Sequence, residues 1–299
     1  MERLTRRPVS EGLETVLGEP IPVLDHGFVR VVDYMGDDAA IVQAARVSYG
    51  AGTRTVQDDR GLIRYLMRHR HTTPFEMCVL KLHVKLPIFV ARQWIRHRTA
   101  SVNEISARYS ILDREFYLPS VGDLALQSTT NRQGRGQPLA DDDAKRVLGL
   151  LRSDAEQAYD HYETLLNDDG TGAPRDADAP QLARELARMN LNLAWYTQWY
   201  WRIDLHNLFH FLSLRADKHA QLEIRRYADV IGSLVEQWVP HAWEAFVDYR
   251  MKGGALSQGE WKVLREALGG RPVADALAAS GLSAREKREF LDKIRGDDA

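Results

Sequence analysis

Hydrophobic positions change period several times along the chain, and each change marks an element. From Val79 to Leu86, Leu80, Leu82, Val84 and Leu86 alternate with Lys81, His83 and Lys85, the period of two expected of a strand buried on one face. Pro87 closes that run and suits the first turn of a helix through Ile88, Val90, Ala91 and Trp94. Earlier, residues 28–34 are rich in β-formers and read as a short strand. Gly36-Asp37-Asp38 then caps a small helix running to Ser48-Tyr49-Gly50. Asp58 and Asp59 open a second helix, with Leu62, Ile63, Leu66 and Met67 as its apolar stripe. Val147, Leu151, Ala155, Ala158, Tyr162 and Leu165 fall on one face of a long helix. Residues 167–180, with their Asp, Gly and Pro content, read as a loop. Helical patterns are expected from Gln181 to about Trp201, from Leu205 to Arg215, and from Leu222 to about Val247, with Pro240 bending or breaking the last.

The class that follows is α+β, helix-dominated, around a central mixed or antiparallel sheet. Beyond Gly253-Gly254, Ser257 with Glu260 and Ser283 with Glu286 are two capping-box signatures, which make 251–299 a small helical appendage. Residues 127–138 are a long polar loop with the character of a lid. Charge narrows the function classes. In 299 residues, 40 Lys and Arg face 42 Asp and Glu, a net charge of -2, which argues against binding nucleic acid or an anionic membrane through bulk charge. No apolar stretch reaches the ~18 residues of a membrane span, and the first residues lack the apolar core of a signal peptide. The single cysteine, Cys78, allows no intrachain disulfide and no zinc cluster, so a cytoplasmic protein is expected.

Gln93, Arg96, His97 and Arg98 are followed closely by Ser101, Asn103, Glu104, Ser106, Arg108 and Tyr109. One reading is a cationic helix end that complements the dipole, followed by a polar loop. The other is a site for a phosphate attached to a heterocycle, since arginine forks take phosphate oxygens while a carboxylate and an amide read imide edges. A basic-loop nucleic-acid binder, with the Trp195–Trp201 aromatics as a stacking platform, is the rival from another class. Those aromatics read first as core or interface packing and second as a surface for a flat cofactor. His206 and His210 share a helix face, but the neighbouring acids complete no zinc signature, and histidines satisfied within a helix are the commoner case. Cys78 has no basic residue within two positions and reads as an inert buried thiol. Neither a Gly-x-Gly-x-x-Gly turn nor a P-loop is present.

The stretch 96–109, Arg-His-Arg followed by seven residues and Ser106, with Asn103-Glu104 and Arg108-Tyr109 in place, resembles the signature of the flavin-dependent thymidylate synthases. Residues 71–76, 89–94, 207–215 and 219–221 support the resemblance, which spans about 28–250 as a catalytic domain and leaves 1–27 as an N-terminal extension. Met77 departs from the family's usual His and Leu222 from its frequent Trp. The resemblance implies the family's fold and methylation of dUMP at C5. Methylenetetrahydrofolate would give the carbon, and FAD, reduced by NADPH, the hydride. It also implies a homotetramer with shared active sites. Gln93, Arg96, Glu104, Ser106, Arg108, Arg188 and Arg215 would meet dUMP. Ser48, Thr73, Glu76, His97, Arg98, Thr99, Asn103, Glu104, Asp204, His206 and His210 would border FAD. Arg215, facing the pyrimidine, and His71, near the flavin and folate, would be catalytic. His210 and Arg215 lie about 140° apart around a helix, so a helix between subunits is expected to show one side to flavin and the other to nucleotide.

Overall fold

Leu80, Leu82, Val84 and Leu86 are all fully buried, as their alternation requires, and their strand is the middle one of a five-stranded sheet. The computed structural model describes residues 7–47, 59–129 and 133–295. In chain order the elements begin with α1 (Glu11–Glu14), β1 (Pro20–Val23), β2 (Gly27–Met35), α2 (Asp38–Arg46), α3 (Asp59–Arg68) and α4 (Thr73–Glu76). Next come β3 (Val79–Pro87), α5 (Ile88–Trp94), β4 (Ser101–Glu104), the hairpin strands β5 (Ala125–Gln127) and β6 (Arg135–Pro138), and α6 (Asp141–Leu166). Then follow α7 (Arg184–Ala187), β7 (Tyr196–Asp204), α8 (Leu205–Arg215), α9 (Leu222–Trp238), α10 (Pro240–Phe246), α11 (Gln258–Leu268), α12 (Val273–Ala279) and α13 (Ala284–Arg295).

The sheet order is β1-β2-β3-β7-β4, with every pairing antiparallel. Register places Leu80 opposite Ile203, Leu82 opposite Trp201 and Val84 opposite Trp199, so one face of both central strands is apolar. Trp94 of α5 fills that face, with ring centroids 5.8 Å from Trp199, 5.1 Å from Trp201 and 4.8 Å from Phe211 of α8. Tyr227, Ile231 and Val235 of α9 are fully buried as well. The helices start where short polar side chains cap them: Asp37 accepts from the Ala40 N–H at 2.8 Å and Asp204 from the Asn207 N–H at 2.9 Å.

Several expectations need correction. Residues 127–138, expected as a polar loop, carry the end of β5 and all of β6, paired as a hairpin; two further misreadings concern the main sheet. The helix expected up to Trp201 is helical only at α7 and a short 3-10 turn after it; Tyr196–Asp204 is a core strand. Thr197, Trp199, Trp201 and Ile203 are buried while Gln198, Tyr200 and Arg202 are not, a period of two that aromatic and β-branched residues favour in sheets. Its tryptophans therefore belong to the chain's own core, and Tyr200 is the exposed aromatic of the strand. Residues 101–104, expected as polar loop, form an edge strand on β7, where backbone pairing needs little apolar burial. Elsewhere, α2 ends at Arg46; Ser48–Gly50 and Asp58 lie outside the described residues. Residues 20–23, within the expected extension, pair with β2 as the other edge. On α6 the buried face is Ala155, Tyr159, Tyr162 and Leu166, one step round from the expected stripe, and Leu150 and Leu151 are exposed.

By internal contacts the chain divides into residues 1–245 and 246–299. The second unit packs Val263, Ala276, Leu277 and Phe290 together, and Ser257 and Glu260 complete a capping box at α11.

Candidate functional site

The turn after α5 is fixed from both ends, by the sheet through β3 and β4 and by the end of α8. Arg215, the last residue of α8, donates from Nε to Nε2 of His97 at 3.0 Å and lies within 3.4 Å of the Gln93 carbonyl oxygen through Nη2. That geometry makes His97 Nε2 an acceptor. Burial first, then the Arg215 and His210 charges, push the His97 pKa down to about 4, so the ring is neutral and its lone pair aims the guanidinium. Burial also lowers the Arg215 pKa. The His97 ring lies 5.9 Å from the His210 ring and 5.0 Å from Phe211. Within one chain, Arg215 and His210, five residues apart on α8, both lie against His97.

Arg96, Arg98 and Thr99 are exposed on the same turn. No ion pair among the described residues engages Arg96, Arg98, Arg188 or Arg215, whereas Arg108 pairs with Glu185 at 3.1 Å, three residues before Arg188. The Ser106 hydroxyl accepts from the Arg108 N–H at 3.3 Å, a local turn contact. Arg184 holds the end of the signature by donating to the Tyr109 carbonyl at 2.7 Å and to Asp168 at 2.8 Å. On β4, Asn103 and Glu104 line a cavity of about 220 Å³ with His83, Gln198 and Tyr200, and Glu104 accepts from Thr197 Oγ1 at 2.5 Å. Asp204 spends both carboxylate oxygens on Asn207 as the cap of α8, and His206 sits half-buried one turn before His210.

A larger cleft of about 930 Å³ carries His71 and Thr73, with Tyr65, Leu66, Pro74 and Met77 among its walls. His71 stacks on Tyr65, centroids 5.9 Å apart and planes 20° apart. Glu76 is half-buried on α4, which packs on α8 through Phe75 and Phe209, 6.2 Å apart. Gln93, His97, His210 and Arg215 thus form one cluster, Asn103 and Glu104 a second, and His71 and Thr73 a third. Ser48 lies outside the described residues. Cys78 is fully buried beside Asp37, its thiol directed at the Asp37 carbonyl at 3.4 Å, and burial pushes its pKa up to about 12.

Sequence reasoning gave no role to Thr197, Gln221, Glu223 or Arg135. Gln93 donates to the Gln221 carbonyl, Gln221 donates to Glu223 at 2.8 Å, and Arg135 pairs with Glu223. The only available signal was the His219-Ala220-Gln221 match, which carries no contact information.

A family model described as thymidylate synthase complementing protein matches residues 30–241. The flavin-dependent thymidylate synthase of Ruegeria pomeroyi is 62% identical over 290 residues, covering 97% of this chain and 93% of its own. That of Gluconobacter oxydans is 60% identical over 294 residues, covering 98% and 93%. Among solved structures, the UMP/dUMP methylase PolB from Streptomyces cacaoi bound with 5-Br UMP superposes with a TM-score of 0.66 at 33% identity, over 77% of this chain and 98% of that one. No helix of the described residues is long and apolar enough to cross a membrane.

Proposed function

This chain belongs to the flavin-dependent thymidylate synthase family, and from that premise we propose how its residues divide the work of methylating dUMP. The enzyme is a flavin-dependent methyltransferase acting on dUMP. The observation that carries the residue assignment is Arg215, aimed by a neutral His97 and flanked by Gln93. A guanidinium so held beside the pyrimidine favours the ionised N3 form and raises electron density at C5. Gln93, Arg96, Glu104, Ser106, Arg108 and Arg188 complete the nucleotide contacts. Arg96 and Arg188, with no carboxylate partner among the described residues, are suited to a phosphate. The Ser106 hydroxyl serves as a contact rather than a nucleophile.

The cleft at His71 suits a flat cofactor, because its volume and largely apolar walls match small-molecule sites in general. Thr73, Glu76, His97, Arg98, Thr99, Asn103, Glu104, Asp204, His206 and His210 would hold FAD, together with Ser48, and His71 would orient folate. FAD when bound supplies the hydride, NADPH its electrons and methylenetetrahydrofolate the carbon. A thiol whose pKa is pushed up to about 12 and whose side chain is enclosed offers no thiolate for attack at C6.

The site clusters open outward on exposed residues, and apolar side chains such as Leu150 (56% exposed), Met189 (70%) and Leu193 (57%) are left uncovered. A homotetramer with shared sites, working in the cytoplasm, is the reading these residues support, since assembly would cover the open clusters and the exposed apolar side chains together. Release of tritium from C5 of labelled dUMP, dependent on added methylenetetrahydrofolate and NADPH, tests the reading. Flavin absorbance in the purified protein without such release would overturn the methyl-transfer assignment.

A further inference from the structure

Glu223 is 2% exposed, yet it is a carboxylate with three partners. Its Oε1 accepts from the Tyr117 hydroxyl at 3.1 Å and from Arg135, and its Oε2 accepts from Gln221 Nε2 at 2.8 Å. Arg135 stands at the start of β6 in the polar hairpin, and its other terminal nitrogen donates to the Asp123 carbonyl at 3.0 Å, so the guanidinium is gripped at both ends. A carboxylate only accepts hydrogen bonds, so Gln221 must turn its NH2 towards Glu223 and its carbonyl away. Gln93 must then meet that carbonyl with its own NH2, as the contact between them records. Gln93 keeps one N–H and its carbonyl oxygen for a ligand. One buried charge therefore dictates the orientation of two amides in series, and the hairpin supplies the cation that holds it.

We propose that Arg135 and Glu223 are positioning residues for the nucleotide site, fixing through Gln221 which face Gln93 presents to dUMP. The inference rests on the reading that Gln93 contacts dUMP. Burying Glu223 without its cation is costly, so loss of Arg135 releases the carboxylate, and with it the amide order, rather than leaving the array intact. The hairpin then acts on substrate affinity and not on the chemistry at C5, which rests with Arg215 and the flavin.

Steady-state kinetics of the flavin-loaded enzyme test this. Arg135→Met should raise the KM for dUMP about tenfold with kcat within twofold and flavin absorbance unchanged, and Arg135→Lys should recover most of the loss. Gln221 is exposed, so Gln221→Leu leaves the core untouched, and it should raise KM by a similar factor. Combined with Arg135→Met it should add little, because both remove the same restraint. Equal falls in kcat and kcat/KM, or an unchanged KM in both single variants, would overturn the proposal. Gln93→Ala separates the two layers. If it raises KM while Arg135→Met and Gln221→Leu do not, the relay fails and the nucleotide reading of Gln93 stands; if Gln93→Ala leaves KM unchanged, that underlying reading fails.

Discussion

At the scale of single residues, environment decides what a side chain can do. Cys78 shows this most simply: a lone thiol invites a nucleophilic role, but full burial and the adjacent Asp37 and Asp38 oppose its ionisation. Cys78→Ser is expected to retain most methylation activity, at a stability cost of about 1–2 kcal/mol for a buried hydroxyl with one carbonyl partner. Lost turnover with intact flavin and dUMP binding would contradict this. His97 is the opposite case, a group whose neutrality is useful. Its folded pKa of about 4 lies below the ordinary 6.5, so the folded state resists a proton that the unfolded chain accepts. Its contribution to stability is therefore fully present above about 6.5 and is lost as pH falls towards 4. An imidazole resonance of His97 titrating near 4 by NMR is expected, moving up in an Arg215→Leu variant; a midpoint near 6.5 in the wild type would show the pair is not formed. Burial of Cys78 was legible from its neighbours on an alternating strand. The His97–Arg215 contact was not, because 118 residues separate the two and only packing of α8 against α5 brings them together.

Among the elements, legibility followed burial pattern. The strand β3 and the proline-led α5 were readable because periodicity and end signals agreed, and α8 from its apolar pattern alone. β7 was misread because seven-residue aromatic density hides a period of two within a helix-like composition. β4 was missed because an edge strand with one half-buried residue carries no hydrophobic signal. These two elements together deliver Asn103 and Glu104, and Thr197 in the buried row of β7 anchors Glu104 at 2.5 Å. Removing the hydroxyl of Thr197 by substitution with Val keeps the β-branched shape and leaves Glu104 unanchored. Hydrogen bonds to charged groups contribute about 1.5–3 kcal/mol, so affinity for dUMP or flavin should fall roughly tenfold or more. Isothermal titration of both ligands checks it, and unchanged affinity for both would remove the anchor from the site.

For the whole molecule, the proposed homotetramer makes the testable claim. Light scattering is expected to give a tetramer, and inactive Arg108→Ala and His210→Ala proteins should regain part of the activity when co-assembled, since some mixed sites would draw both wild-type residues. A fully active monomer would sink the shared-site proposal. By itself, the sequence determined the class, the central alternating strand, the capped helices and the 96–109 signature, because local period, capping chemistry and residue spacing act over a few residues. Only the tertiary structure decided that Tyr196–Asp204 is a strand beside β3, that His97 reaches both His210 and Arg215, and that a hairpin arginine orders Gln93 through Glu223. Those outcomes depend on pairings between segments about 90 to 120 residues apart, which burial of apolar faces selects and which leave no trace in local sequence.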